Sequence, residues 1–396
     1  MNTIERTQYL DFLWEFKDLT DTAKIICGVR RCGKSTLMEQ MAKRLVSSGV
    51  DKKNVLHLDF ELTEFDFIKN QEDLKNYLGE NMGTGMTYVL LDEIQRVKDW
   101  EIAVNALLAG SGADVYITGS NSKLLSSELS TYIAGRYVSV EMLPLSFGEY
   151  SDLHSDRGLD KYELFDKYTR YGAFPGVDPF AGERTIRAML DGLYTSIVYK
   201  DAVMRGEVVN VPEFERVVRF MMMNIGNPIS VNGIATSLGS VHFTTVDKYL
   251  RLLEQCYILY KAEKYDLKST VLSHSPKYYS VDVGLRNVSL EYGTEDYGRL
   301  MENLVYLELI RKGDRVIVGR YGDLEVDFSV KTDKGTEYYQ VVYSLKEDKV
   351  KERELKALNS LRDSYPKTII STDIIRADLP NGIRHLNIVD FLLGKR

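Results

Sequence analysis

Cysteine is scarce: Cys27, Cys32 and Cys256 are the only three in 396 residues. With no C-x-x-C pair among them, neither a disulfide framework nor a zinc site is expected, and reduced thiols are. The five histidines, His57, His154, His242, His274 and His385, fall in no metal-ligand spacing. No apolar run reaches ~18 residues, and the opening Met1-Asn2-Thr3-Ile4-Glu5-Arg6 has neither a basic nor an apolar leader segment. A soluble cytoplasmic protein without a membrane partner is therefore expected. Positive charge is also in deficit: 51 Lys+Arg against 58 Asp+Glu gives −7. That excludes a chain that holds nucleic acid by bulk charge, so any such contact must be local. Proline is sparse at 8, while 44% of residues are hydrophobic, which excludes a disordered or collagen-like chain.

At about 150 residues per domain, the length suggests two or three domains. From residue 23 onward, short apolar runs alternate with helical patterns: Lys24-Ile25-Ile26-Cys27, residues 35–45, Asn54-Val55-Leu56-His57-Leu58, then Tyr88-Val89-Leu90-Leu91. Two more runs follow, Asp114-Val115-Tyr116-Ile117-Thr118 and Tyr137-Val138-Ser139-Val140-Glu141. This alternation predicts a five-stranded parallel sheet wrapped by helices. Residues 162–204 carry apolar positions at helical spacing, interrupted by Gly172-Ala173-Phe174-Pro175-Gly176, and predict a small helical subdomain.

Gly28-Val29-Arg30-Arg31-Cys32-Gly33-Lys34-Ser35 matches G-x-x-x-x-G-K-[ST] between an apolar strand and an amphipathic helix. The glycines let backbone N–H groups turn inward around phosphate oxygens, and the helix directs its positive dipole end at them. The expected nucleotide-binding set is Gly28, Arg30, Arg31, Cys32, Gly33, Lys34, Ser35 and Thr36. Lys34 is expected to reach the β- and γ-phosphates of ATP, and the Ser35 hydroxyl to ligate Mg²⁺. Cys32 is either a thiol that makes nucleotide binding sensitive to oxidation or a filler residue.

The strand Tyr88-Val89-Leu90-Leu91 ends in Asp92-Glu93. Asp92 is expected to hold Mg²⁺ directly or through water, and Glu93 to polarise the attacking water. Another strand ends in Thr118-Gly119-Ser120-Asn121, where a small polar side chain lies either near the γ-phosphate or in an ordinary turn. Gly135-Arg136 precedes the fifth strand, and Arg136 reads as an arginine finger or a surface arginine. These motifs, with Leu90-Leu91-Asp92-Glu93-Ile94-Gln95, Leu143-Pro144-Leu145-Ser146-Phe147 and Tyr171-Gly172-Ala173-Phe174-Pro175, resemble a widespread prokaryotic AAA-type ATPase family with a C-terminal domain of uncharacterised function. The resemblance spans nearly the whole chain. It implies an AAA+ fold, ATP hydrolysis, and sensor and finger roles for Asn121 and Arg136. It also suggests Tyr9, Leu10 and Trp14 as the adenine side of the site.

Residues 230–239 and 244–253 read as two helices joined by a turn, and resemble a winged helix. Thr244, Thr245, Lys248 and Arg251 would face a DNA major groove, with Lys261, Lys264 and Lys268 on the wing. From residue 212 to 269, seven Lys+Arg face six acids, a net of +1, so docking of flanking domains is an equal alternative. The order helix with Glu302, strand with Asp327, strand with Gln340 resembles the restriction-endonuclease-like fold, whose carboxylates and (D/E)-x-K pair hold a divalent metal. Glu302, Asp327 and Gln340 are the candidate second metal site. Gln340 and Val342 stand at the acid and lysine positions, which points to a degenerate centre.

The sequence thus predicts an α/β chain: a P-loop AAA+ core with a five-stranded parallel sheet (1–155), a helical lid (156–208), a winged helix (209–275) and an α/β restriction-endonuclease-like domain (276–396). Three functions stay open. They are an Mg²⁺-dependent ATPase associated with double-stranded DNA, an ATP-gated metal-dependent nuclease, and a nucleotide-dependent switch acting on another protein or on its own copies.

Overall fold

The computed structural model describes residues 3–110, 112–120, 133, 135–204, 206, 208–239, 241–269, 271–273, 275–290 and 297–395. Its contacts divide the chain into two compact units, Met1–Leu143 with Gln255–Tyr257, and Pro144–Glu254 with Ile258–Arg396. Among the described residues no helix is long and apolar enough to cross a membrane.

In the first unit, strands β1 (Ala23–Cys27), β2 (Val55–Asp59), β3 (Thr87–Asp92), β4 (Ala113–Gly119) and β5 (Tyr137–Glu141) form the expected parallel sheet. Their order is β2-β3-β4-β1-β5. Every residue of β1, β3 and β4 is buried. Burial on both faces is why these strands read as unbroken apolar runs rather than alternating ones. Helices α2 (Lys34–Ser47), α3 (Gln71–Asn81) and α4 (Trp100–Gly110) lie on the connections between strands, and α1 (Thr7–Glu15) precedes the sheet. Ile25, Val89, Leu91, Val115 and Ile117 share one core with Leu74, Leu78, Trp100 and Val104 from α3 and α4. Truncating any one of these leucines or isoleucines to alanine costs about 2–5 kcal/mol.

Where β1 and β4 begin, Lys24 and Asp114 form a fully buried ion pair at 2.5 Å. Asp114 also accepts hydrogen bonds from the Tyr116 hydroxyl and the Asp18 N–H, and Lys24 donates to the Leu19 carbonyl. A buried pair is tolerated when its remaining donors and acceptors are satisfied. Here those extra bonds tether the turn that follows α1.

The second unit begins with helices Phe147–Leu153 and Lys161–Tyr171, each opened by a capping box, Ser146 with Glu149 and Asp160 with Glu163. Gly172, with φ 79°, then turns the chain so closely past Asp282 that a Cβ would lie 2.2 Å from its carboxylate oxygen. That carboxylate accepts the N–H of Ala173 at 2.7 Å and caps helix Val283–Ser289 through the Leu285 N–H at 3.0 Å. The glycine of the Tyr171-Gly172-Ala173-Phe174-Pro175 motif thus makes room for an acid more than a hundred residues away.

Helices Val211–Met223, Val231–Leu238 and Phe243–Gln255 precede an antiparallel pair, β6 (Leu259–Ala262) with β8 (Lys277–Ser280). Between them β7 (Lys264–Asp266) departs to pair with β9 (Arg315–Tyr321). It extends a six-stranded mixed sheet of order β13-β12-β11-β10-β9-β7, with β10 (Leu324–Thr332), β11 (Gly335–Val341), β12 (Lys367–Ser371) and β13 (Arg384–Asn387). Val326, Tyr338, Val342, Leu358 and Ile369 form a core between this sheet and helix Asp348–Ser360. Residues 326–330 of β10 are all buried, Asp327 among them, and the pairing of β10 with β9 shifts register between Val326 and Ser329.

Candidate nucleotide site

The turn between β1 and α2 passes β5's exit with no space to spare. Gly28 has φ 144°, and a Cβ there would lie 2.2 Å from the Met142 carbonyl oxygen. Only glycine fits this approach. Gly33 precedes α2, whose first-turn N–H groups have no side-chain cap, the state a phosphate requires. Within the loop, Arg30 ion-pairs with Glu61 at 3.1 Å, and Arg31 is exposed in a left-handed conformation. The Cys32 side chain is fully buried, and burial pushes its thiol up. Cys32 therefore fills the loop from behind, and a nucleotide would meet only its backbone.

Lys34 is buried, with Nζ donating to the carbonyls of Gly28 at 3.1 Å and Val29 at 3.3 Å and lying 3.5 Å from Glu93 Oε1. Burial opposes its charge, but Cys32, Glu93 and Asp92 more than offset that and hold the ammonium above the ordinary lysine range. Asp92 ends the fully buried β3. Burial pushes its carboxyl up, against the nearby Ser35 and Thr118 hydroxyls. The Thr118 hydroxyl bonds Asp92 Oδ1 and accepts the Glu93 N–H at 2.9 Å. Asp92 Oδ2 is buried and has no hydrogen-bond partner. An orphaned anionic oxygen beside the Ser35 hydroxyl is the donor set a Mg²⁺ ion requires. The structure thus brings Lys34, Ser35, Asp92 and Glu93 together.

Arg6, which no motif marks, holds this loop in place. Arg6 is almost fully buried, and its guanidinium donates to the carbonyls of Cys32 at 3.1 Å and Leu143 at 2.8 Å. Arg6 sits in no recognisable pattern, because its carbonyl partners come from distant segments. Thr118, in the expected strand end Thr118-Gly119-Ser120-Asn121, fixes Asp92 as described. Tyr9 and Leu10, expected on the adenine side, are buried instead. The Tyr9 hydroxyl accepts the Leu143 N–H at 3.2 Å, and Trp14 packs under the Arg44 guanidinium at 4.7 Å.

Asn121 lies outside the described residues. Arg136 precedes β5 at the end where the parallel strands start, since Ala23 pairs with Tyr137 and Cys27 with Glu141. Five residues of strand put it about 16 Å from the level of the phosphate loop, beyond an arginine's reach. Its guanidinium bonds Asn105. A finger role within one chain is thereby excluded.

In the second unit, Glu302 and Asp327 do converge, but around a lysine. Lys277, buried on β8, lies 2.8 Å from Glu302, 2.7 Å from Glu325 and 3.6 Å from Asp327. Burial opposes its charge, and Glu302, Asp327 and Glu325 hold it well above the ordinary range. Burial, then repulsion from Glu302, pushes the Asp327 carboxyl well above the ordinary range despite Lys277. Gln340, expected as a third metal ligand, instead accepts the backbone N–H of Asp327 at 3.2 Å. The ligand expectation is corrected here: the amide oxygen is already used across the β10–β11 ladder. Among the described residues no group of three or more His, Cys, Asp or Glu is arranged to hold a metal ion.

On helix Phe243–Gln255, Thr244, Lys248 and Arg251 are exposed and Thr245 is half-buried, opposite Val246, Leu250 and Leu253. Arg251 ion-pairs with Asp247 at 2.9 Å, and Thr244 bonds the His242 ring at 2.8 Å. The expected wing lysines differ. Lys264 pairs with Glu325, Lys268 lies over the Tyr321 ring at 4.4 Å, and Lys261 lines a cavity of about 330 Å³ with Arg251, Glu254 and Tyr278. The departure of β7 into the larger sheet is the reason for the first two.

Residues 20–151 match an AAA domain, and residues 162–296 match a domain of unknown function, DUF8612. An uncharacterized protein of Haemophilus influenzae is 36% identical over 403 residues, covering 98% of both chains. The uncharacterized protein MJ1544 of Methanocaldococcus jannaschii is 30% identical over 364 residues, covering 87% of this chain and 79% of its own. Among solved structures, the Aeropyrum pernix ORC1 protein in complex with DNA aligns over 73% of this chain and 93% of its own. Its 12% identity and TM-score of 0.31 are too low to bear on fold or function. The chain belongs to the family of the Haemophilus influenzae protein and MJ1544, and carries its P-loop in an AAA domain.

Proposed function

We propose that this protein binds ATP with Mg²⁺ at residues 28–36 and hydrolyses it. The observation that carries the reading is the orphaned, buried Asp92 Oδ2 beside Ser35 and Lys34. In this reading Ser35 and Asp92 hold the ion, which when bound neutralises charge on the β- and γ-phosphates. The Lys34 ammonium leaves the carbonyls of Gly28 and Val29 for phosphate oxygens, a move that also frees Glu93 Oε1 from its contact. Glu93 then accepts a proton from the attacking water. Thr118 keeps Asp92 aimed, and Arg6 keeps the loop's shape. The test is equilibrium binding of a fluorescent ATP analogue, and phosphate release, each with Mg²⁺ or with excess EDTA. Binding and turnover that need the ion support the reading, and turnover unaffected by EDTA would contradict it.

The exposed row Thr244, Lys248 and Arg251 favours double-stranded DNA as the partner of a winged helix. Hydrolysis rates with and without duplex DNA, at two salt concentrations, separate this from a switch that acts on protein. A salt-dependent stimulation supports DNA, and an unchanged rate supports the switch. The Lys277 ion-pair cluster speaks against the nuclease reading, because the cation among the carboxylates is the protein's own. We assign the restriction-endonuclease-like module a non-cleaving role, and the boundaries 156–208, 209–275 and 276–396 remain the working division of the second half.

A further inference from the structure

Glu93 is held at every polar atom that chemistry would use. Its backbone adopts a left-handed conformation, φ 54° and ψ 44°, at the start of the turn Ile94–Arg96. Its N–H donates to Thr118, Oε1 lies beside Lys34, and Oε2 accepts the amide of Gln95. A carboxylate offers only acceptors, so Gln95 must present Nε2 to it. That requirement fixes the other end of the amide: Gln95 Oε1 is buried and has no hydrogen-bond partner. An acceptor left this way is destabilising. A non-glycine residue in the left-handed region adds strain. Costs of this kind persist where the surroundings over-determine the conformation, and active sites are where they cluster.

We infer that Gln95 is the second water-orienting residue of the hydrolytic site. The inference rests on the ATPase reading above. An amide's two polar atoms lie within about 2.3 Å of each other, so Gln95 Oε1 stays within the roughly 5.6 Å that one water spans with two hydrogen bonds from Glu93 Oε2. The water donates one proton toward Glu93 and the other to Gln95 Oε1, and its lone pair faces the γ-phosphorus. In the step, the water's O–H bond to the first proton breaks and Glu93 takes that proton. The water oxygen bonds to the γ-phosphorus, the bond from phosphorus to the bridging oxygen breaks, and its electron pair stays on the β-phosphate of ADP. The products are ADP and inorganic phosphate, and no further reactant is needed.

The experiment compares wild type with Gln95→Leu and Gln95→Asn in three readouts: equilibrium binding of a fluorescent ATP analogue, kcat, and KM for ATP. Gln95→Leu should bind the analogue within about threefold of wild type while kcat falls about 100-fold. Its KM should stay near the wild-type value, because the contact acts in the reaction step and not in binding. Gln95→Asn keeps an amide one methylene short, and should recover part of kcat. Wild-type kcat in Gln95→Leu overturns the inference. So does a loss of kcat matched by an equal loss of binding, or a Gln95→Asn protein no more active than Gln95→Leu, either of which would mark Gln95 as structural. If the wild type binds the analogue but never turns over, the ATPase reading fails and takes the inference with it.

Discussion

The Lys277 ammonium lies 2.8 Å from Glu302 Oε1, buried between β8 and helix Tyr297–Arg311. Glu325 and Asp327 complete the surround, the Tyr279 hydroxyl donates to the same Glu302 Oε1, and Lys264 bonds Glu325 Oε2. The module therefore balances its acids with lysines from two strands. Breaking a buried pair by removing one partner leaves uncompensated charge and costs about 3–5 kcal/mol. Lys277→Met should lower the urea midpoint accordingly, and adding Glu302→Gln should restore part of the loss. A Lys277→Met protein as stable as wild type would show that the cluster is solvated and its charges independent.

The Arg6 guanidinium joins the phosphate loop at the Cys32 carbonyl to the segment after β5 at the Leu143 carbonyl. Arg6→Met leaves the Cys32 and Leu143 oxygens without their donor at a cost of about 1–3 kcal/mol. Nucleotide affinity should fall about tenfold, since the loop loses the support that shapes it. Denaturation midpoints and analogue binding, measured on the same preparation, check both effects.

Asp282 supplies the pH dependence. Burial pushes its carboxyl up to about 6 although the N–H groups of Ala173, Leu285 and Gly284 oppose the shift. The folded chain thus holds this proton more tightly than the unfolded chain does. Its stability contribution is complete below about pH 4 and is lost as pH rises through about 6. Asn cannot ionise, so the stability advantage of wild type over Asp282→Asn should shrink between about pH 4 and about pH 6 and stay level above it. Urea midpoints of the pair across that window read this out directly. An advantage that grows with pH would mean the hydrogen bonds outweigh burial.

Arg136 can serve a nucleotide only in a neighbouring copy, because the strand carries it away from its own phosphate loop. Arg136→Ala and Glu93→Gln should each be inactive alone, yet regain turnover when mixed in equal amounts. No recovery on mixing, with self-association verified, would remove the finger role.

Much of the first unit was legible because its chemistry is contiguous. The phosphate loop, its strand and its helix lie within 25 residues, and the burial of β3 on both faces announces the acids at its end. Arg6 was not legible, since its partner carbonyl on Leu143 is 137 residues away. Lys277 was hidden for the same reason: its partner Glu302, read in the sequence as a metal ligand, lies 25 residues away on an element that only the fold brings to it. Asp327 was read as a metal ligand, whereas the structure sets it beside the buried Lys277, a partner no sequence spacing reveals. Gln95 sat in plain view within Leu91-Asp92-Glu93-Ile94-Gln95, but nothing in its spacing reveals which atom its amide faces.

Hydrolysis of ATP by Lys34, Asp92 and Glu93 separates into a binding and a chemical contribution that a single assay reads. Phosphate release and retained nucleotide are followed together in wild type, Lys34→Ala and Glu93→Gln. The expected result is turnover in wild type only, with no bound nucleotide in Lys34→Ala, and with ATP held by Glu93→Gln while its turnover drops by at least about 100-fold. Turnover at the wild-type rate in Glu93→Gln would contradict the account.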